Sequence, residues 1–545
     1  MALSLLLNML CFRTLAAEDS PKSGPIYVST DSWMYPAFRR LAALGYAPDA
    51  DTLALPWTRQ QCLMLLQEAE DYSSRRAYKE GTKAVNENAL RLIADLRTEL
   101  DGKEKNKPGV RIDSVYSRLT QISGRPLNDS YHFGQTLIND FGRPFGEGTN
   151  GVTGVSASAS AGRWSAAFRG EYQGAADSPT YTEPLRNLIG NLDGIPPNGV
   201  RSPAGASQFR AFELYAGVRA GPFDVTVGKQ SLWWGPDSGS AYLFSNNADP
   251  FYALRIRQAE PWLLPGLLRH FGRIRTEFVA GRLTGHQFPS GPWIHAQKIT
   301  LQLTPDFEIG FSRSTIFGGE GHPITAGNLL SSFFSTTSTG GTGFGARSDP
   351  GDRRSSVDFR WRVPKLRYVT VYSDSLADDE PNPLANPKRA AWAPGVYVSH
   401  LPRLPKVDLR AETYSTWLYR QDEGGKFLYW NDQYRDGYTN DGFLLGSWVG
   451  RDARTYQLSS TYWESGTNTI TADYRQTKIG SAFLPGGGTQ TDIALIVQRK
   501  LKGDLLLAFA IQGERYNIPA LGKERSNVSF SVQLTYRPTN WSTQR

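Results

Sequence analysis

Cysteine is almost missing: only Cys11 and Cys62 occur in 545 residues. Two such positions build neither a disulfide framework nor a thiolate metal site. The six histidines (His132, His270, His286, His295, His322 and His400) form no H-x-x-x-H or H-E-x-x-H arrangement. A helical zinc site is therefore excluded. The Glu320/His322 pair of "GGEGHP" reads as a Gly/Pro turn. There is no G-x-S-x-G elbow and no P-loop; "GGTGFG" at 340–345 lacks the strand and helix that would bracket a phosphate loop. No cofactor is expected. Dense runs of Lys and Arg are also missing, which leaves nucleic acid without a binding stripe. No stretch reaches the roughly 18–20 apolar residues a membrane helix needs. The longest run beyond the N-terminus, "LLLAFAI" at 505–511, has the length of a strand.

The 54 Gly, 33 Pro and 12 % aromatic content, with a mean hydropathy of -0.42, fit a sheet protein with many turns and one greasy face per strand. The formal charge is +8. Residues 1–110 hold 14 basic and 14 acidic side chains, so the excess lies in the rest of the chain. Such a bias favours acidic polymers or lipids. Residues 1–20 read as a secretory signal peptide, with a short apolar stretch before Ala16-Ala17.

Residues 29–102 have helical rhythm and are expected to form a small bundle. "DSWMYPAFRRLAALGY" puts Ala37, Leu41 and Leu44 on one face, with Gly45 as a stop. "PWTRQQCLMLL" holds a Thr58/Gln61 capping box, with Trp57 stapled onto Cys62. "NENALRLIADLRTELDG" spaces Leu90, Ile93, Leu96 and Leu100 for a third helix. The polar "DGKEKNKPG" at 101–109 marks a boundary.

From residue 111 to 541 the period changes to two. "NVSFSVQLTY" (527–536) turns Val528, Phe530, Val532, Leu534 and Tyr536 one way and Asn527, Ser529, Ser531, Gln533 and Thr535 the other. Other strands carry Asp358, Arg360, Arg362, Asp408, Arg410, Glu412, Asp473 and Arg475 on their polar face. Alternation alone fits a soluble sandwich with its apolar face inward, or a membrane barrel with that face on lipid and the charges lining a lumen. Connection lengths favour the membrane barrel over a soluble sandwich or propeller. Tight turns at 220–223, 304–306, 363–365, 401–406, 465–468 and 500–504 alternate with long links at 177–207, 230–271, 314–356, 374–394, 415–442 and 513–526. Short turns on one side and long loops on the other belong to outer-membrane barrels. Roughly eighteen strand candidates of about nine to eleven residues are present. Trp164, Tyr172, Tyr462, Trp463, Tyr474 and Tyr536 supply aromatic girdles. The tail after Trp541, "STQR", extends past the usual aromatic end of such a chain.

Catalysis finds little purchase. Ser399 and His400 in "YVSHLP" are adjacent on a strand and point to opposite faces. No carboxylate pair stands out, and an enzyme is not expected. Sugar binding asks for aromatic faces beside Asp, Asn and Arg. Two segments offer them. "LWWGPDSGSAYLFSNNADPF" holds Trp233, Trp234, Asp237, Asn246, Asn247 and Asp249. "TWLYRQDEGGKFLYWNDQYRDGY" (416–438) holds Trp417, Tyr419, Arg420, Trp430, Asn431 and Asp432, with Tyr429 and Tyr434 beside them.

The chain also resembles the Wzi capsule-assembly family of outer-membrane proteins. The likeness rests on "DSWMYPAFRRLAALG", "LNDSYHFGQTLINDFGRPFGEG", "QSLWWGPDSGSAYLFSNNADPF" and "NLLSSFF". It implies a transmembrane β-barrel above a small periplasmic helical bundle. It also implies a lectin-like role with capsular or extracellular polysaccharide, with outer-membrane lipid around the barrel and the export machinery as a further partner. No catalytic residue comes with the family. The alternative is an outer-membrane channel for sugars or anions, with Arg360, Arg362, Arg410 and Arg475 setting selectivity.

Overall fold

The computed structural model describes residues 23–81, 86–100, 108–334, 351–378, 380–419, 427–538 and 542–544. The signal segment with Cys11, most of 101–109, "GGTGFG", Arg420 and Trp541 lie outside those residues.

Eighteen long antiparallel strands close into a barrel. It begins with Gly109–Ile122 and ends with Arg525–Tyr536, and these two strands pair with each other, Val115 opposite Tyr536. Trp262–Leu263 and Ser542–Gln544 add short pairings at the rim with the tight turns. On the last long strand Val528, Phe530, Leu534 and Tyr536 are 40–49 % exposed, while Asn527, Ser529 and Thr535 are buried. That is the reverse of a sandwich: apolar side chains face outward and polar ones inward, the solution a bilayer demands. Cross-strand contacts knit the outer face, as where the Phe509 and Phe530 rings meet edge-on 5.0 Å apart. On strand Ala453–Trp463, Tyr456 and Tyr462 point outward six residues apart, about 20 Å along the strand. They bracket Leu458 as two edges of an aromatic belt.

Several sequence-predicted links differ from the structure. The stretch 230–271 contains a strand, Tyr252–Gln258, whose Arg255 and Arg257 point inward and are buried. The link 513–526 shrinks because strand Leu505–Asn517 runs further than expected. The loop 177–207 holds a helix, Glu183–Asp193, begun by Pro184 in its first turn and ended by Gly194 in a left-handed cap.

Among the described residues the N-terminal region forms three helices: α1 (Met34–Leu44), α2 (Arg59–Glu80) and α3 (Glu87–Leu100). Thr58 caps α2 through a complete box with Gln61, worth about 1 kcal/mol. Gly45 ends α1 at φ 84°, a left-handed conformation that favours glycine; a Cβ there would only push aside the end of the Arg362 side chain. The helices cover the rim that carries the tight turns. Arg40 of α1 pairs with Asp408 of a barrel strand, and Asp95 of α3 accepts the Gly466 N–H of a tight turn.

The barrel is filled. One apolar core joins the helices to Trp233, Ala241 and Trp463. A second gathers the outer loops around Trp234, Tyr242, Phe244, Tyr429, Tyr438 and Trp448. The two meet where Ala54–Leu55 pairs antiparallel with Trp233–Trp234. The expected lumenal charges point inward yet line no open bore. Asp358 binds Lys298 at 2.6 Å, Arg360 binds Glu308 at 2.8 Å, and Arg362 binds Asp306. Arg410 lies 3.8 Å from Glu412, and Arg475 lies 3.6 Å from Asp473. Asp408 belongs to the helix contact. A filled interior leaves these groups as internal ion pairs, which counts against the channel expectation.

Candidate functional site

At the rim with the long loops a cleft of about 200 Å³ opens between the segment after the first strand, the loop 176–205, and residues 436–443. Its centre is built by a turn. Asp129 Oδ1 accepts the N–H groups of Tyr131 and His132, both at 3.1 Å, which aims the imidazole back at its carboxylate. His132 Nδ1 then lies 2.9 Å from Asp129 Oδ2, and Nε2 lies 2.8 Å from Asp193 Oδ2. Tyr181 donates its hydroxyl to Asp129 at 3.0 Å.

Asp193 closes a helix, the end where the helix dipole disfavours an acid. Two cations compensate: His132, and Arg451, which donates from Nη2 at 2.8 Å. The Arg451 guanidinium lies 4.2 Å from the Tyr131 ring centre. Burial opposes a charge on His132, but Asp129 and Asp193 outweigh it and raise its pKa to about 9. Burial likewise opposes charge on the two acids, and His132 overcomes it to hold both below the usual carboxylate range. The opposite wall carries Asp436, which accepts the N–H groups of Gln287 and Phe288 at 2.8 and 2.7 Å, and Asp441, which accepts the Thr284 hydroxyl at 3.0 Å. Gly437 between them takes φ 67°; a Cβ there would strike the Tyr131 hydroxyl. Arg201 and Phe443 complete the lining. The result is a dish with Phe443, carboxylates and one arginine at its mouth and the buried Tyr131 and Tyr181 behind them. Among the described residues no group of three or more His, Cys, Asp or Glu could hold a metal ion.

The sugar-binding candidates of the sequence divide. Trp233, Trp234, Asp237, Asn246, Asn247 and Asp249 are buried inside the barrel, none more than 7 % exposed. Asn246 accepts the Thr30 hydroxyl at 2.6 Å, and Asn247 donates to the Leu444 carbonyl at 2.9 Å. Asp249 pairs with Lys229, and with Arg210 at 3.2 Å. This segment is the pin that joins the two cores and offers no face to a glycan outside. Trp417 and Tyr419 are exposed, 42 % and 83 %, but belong to the outer wall rather than to the cleft. Asn431 is buried and folds its own loop by accepting the Gln433 N–H at 2.9 Å, while Asp432 is exposed. Among the described members of that group, Trp430 reaches the neighbourhood of the cleft, donating Nε1 to the Asp193 carbonyl at 3.0 Å. The Ser399/His400 pair makes no dyad: the Ser399 hydroxyl donates to the Tyr368 carbonyl at 3.3 Å, and His400 stacks on the Tyr368 ring.

Sequence reasoning missed His132, Asp129, Asp193 and Arg451. The spacing D-x-x-H inside "NDSYH" is a usable sign of the first pair. Nothing local points to Asp193, 61 residues from its histidine.

Comparison with known proteins agrees with this architecture. The chain is similar in fold to the solved structure of Wzi of Escherichia coli, described as an outer-membrane protein involved in group 1 capsule assembly and a carbohydrate-binding β-barrel. The TM-score is 0.68 at 16 % identity, over 94 % of this chain and 99 % of that one. It is 26 % identical over 201 residues to an uncharacterized 55.8 kDa protein in the cps region of Klebsiella pneumoniae. That alignment takes in 36 % of this chain and spans 37 % of the relative's length. The sequence pattern of the capsule assembly protein Wzi family matches residues 118–528, most of the barrel with its loops, and the chain belongs to that family.

Proposed function

We propose that this protein is a non-enzymatic anchor that binds and organises capsular or other extracellular polysaccharide at the outer surface of the outer membrane. One observation carries the reading: the barrel is filled by its own loops and helices, while the cleft around His132 faces outward. A filled barrel has little use as a conduit. The half-buried Phe443 with Asp436, Asp441 and Arg201 at the mouth of the cleft, backed by the buried Tyr131 and Tyr181, suits a pyranose, whose apolar face stacks while its hydroxyls donate to carboxylates. The volume of the cleft falls below the roughly 300–1,000 Å³ of drug-sized pockets. It therefore suits a short stretch of sugar, and a long polymer gains hold by engaging many copies of the protein at once. The bundle under the barrel, with Tyr78 exposed on α2, is the natural contact for export machinery on the inner side.

The test is retention of polysaccharide on cells of a deletion strain complemented with variants. Asp436→Ala with Asp441→Ala, which spare the His132 cluster, release polysaccharide into the medium while the barrel still shows heat-modifiable gel migration. Full retention by that pair overturns the site. Open single-channel conductance by the wild-type protein in planar bilayers overturns the anchor reading.

A further inference from the structure

We propose that the outer wall of the barrel carries a binding site for a phosphate-bearing glycolipid headgroup of the outer leaflet, centred on Arg454 and Lys478. On strands Ala453–Trp463 and Thr469–Ile479 the two residues are direct register partners on the lipid-facing side. Like charges opposite each other destabilise a sheet unless an anion sits between them. The described residues supply none: no carboxylate among them forms an ion pair with Arg454, Lys478 or Lys388. The neighbouring cations are satisfied, Arg389 by Glu380 at 3.2 Å and Arg515 by Glu524.

The setting also matches a headgroup. The Arg454 guanidinium lies 4.6 Å from the exposed Trp417 ring, and Lys388 Nζ lies 5.4 Å from the Tyr419 ring. Aromatic faces of this kind hold a cation at the interface without neutralising it. One step inward along the same strands come Tyr456 beside Gln476, then Leu458 beside Tyr474, then Ile493 on the next strand, 64 % exposed. The cations thus stand at the outer edge of the apolar belt, on the side of the long loops, where an acyl chain lying on the belt places its phosphates. An acidic polysaccharide needs no such belt, so the lipid is the occupant the geometry favours.

The test uses the full-length protein in detergent and counts bound lipid by native mass spectrometry. The probes are bisphosphorylated lipid A, its dephosphorylated form with the same acyl chains, and inorganic phosphate. The wild type retains the bisphosphorylated lipid and loses it when the phosphates are removed. Arg454→Gln with Lys478→Gln weakens that binding about thirtyfold, the effect of two interfacial cations. Arg454→Lys with Lys478→Arg keeps it. Heat-modifiable migration confirms that each variant is a folded barrel; should the glutamine pair fail this check, the comparison of phosphorylated with dephosphorylated lipid on wild-type protein decides alone. Equal binding of the two lipids, or an unchanged glutamine pair, overturns the proposal. Saturation by inorganic phosphate alone, or displacement of the lipid by acidic polysaccharide, overturns the lipid as occupant.

Discussion

Arg40 and Asp408 meet 3.2 Å apart where the helical bundle enters the barrel. Neither side chain sees much solvent, and each is served by further partners. Arg40 also donates to Asn88 at 2.9 Å and to the Pro405 carbonyl at 3.1 Å. Asp408 accepts the Tyr397 hydroxyl at 2.8 Å and the Trp463 Nε1–H at 2.7 Å. Removing one partner from a buried pair costs about 3–5 kcal/mol, because the other charge is left unpaired. Arg40→Met is therefore expected to loosen the bundle from an intact barrel. Limited trypsin digestion checks this: cleavage within residues 59–100 accelerates at least tenfold while the barrel still migrates as a folded form. Unchanged cleavage means that the pair is not what docks the helices.

The His132 cluster makes the outer loops pH-sensitive. His132 titrates near 9 when folded against an ordinary value of 6.5. Its contribution to stability is complete below about 6.5 and is lost as the pH rises through about 9. Asp129 and Asp193 act in the opposite direction: held below 3.8, they stabilise above that value and cease to as the pH falls below it. Protection of the amides of residues 176–205 from hydrogen exchange, relative to their intrinsic rate at each pH, is expected to be greatest between about 4 and 6.5 and lower by pH 10. His132→Gln removes the alkaline step. A flat profile in the wild type would show that the cluster does not hold the loop.

Glu68 on α2 behaves as a misplaced acid. Burial, and then the nearby Asp49, raise its pKa to about 7 from 4.5. Its ionisation opposes folding, so the bundle is favoured below 4.5 and loses that margin as the pH climbs through about 7. Glu68→Gln is expected to raise the melting temperature of the bundle at pH 8 and leave it unchanged at pH 4. A gain of equal size at both values would assign the effect to packing instead of charge.

Trp233 and Trp234 adjoin in sequence and pack in different cores. Trp→Ala in a well-packed interior costs about 3–5 kcal/mol. Trp233→Ala is expected to speed hydrogen exchange in α1 and α3, and Trp234→Ala to speed it in residues 427–452. Identical exchange maps for the two variants would mean that the interior is one cooperative unit.

The barrel was legible because its signal is local. A two-residue rhythm, tight turns such as 304–306 and outward aromatics are written on single strands, and the three helices announce themselves by capping box and period. The direction of the apolar face was legible only through loop lengths. The cleft was not, because its bonds span the chain. Asn246 and Asn247 carry the composition of a sugar-binding loop, yet their partners Thr30 and Leu444 lie about two hundred residues away, and a loop folded inward has the same residues as one spread outward. Conversely, His132 is a lone histidine until the helix ending at Asp193 is laid against it.

The ladder of Ala54–Leu55 on Trp233–Trp234 has a mechanical meaning. It ties the helical bundle to the segment that leads into the core of the long loops, through backbone hydrogen bonds. A pull on the long loops loads that splice and, through it, the helices at the opposite rim. Load on those loops is then borne by the full height of the protein rather than by loops alone.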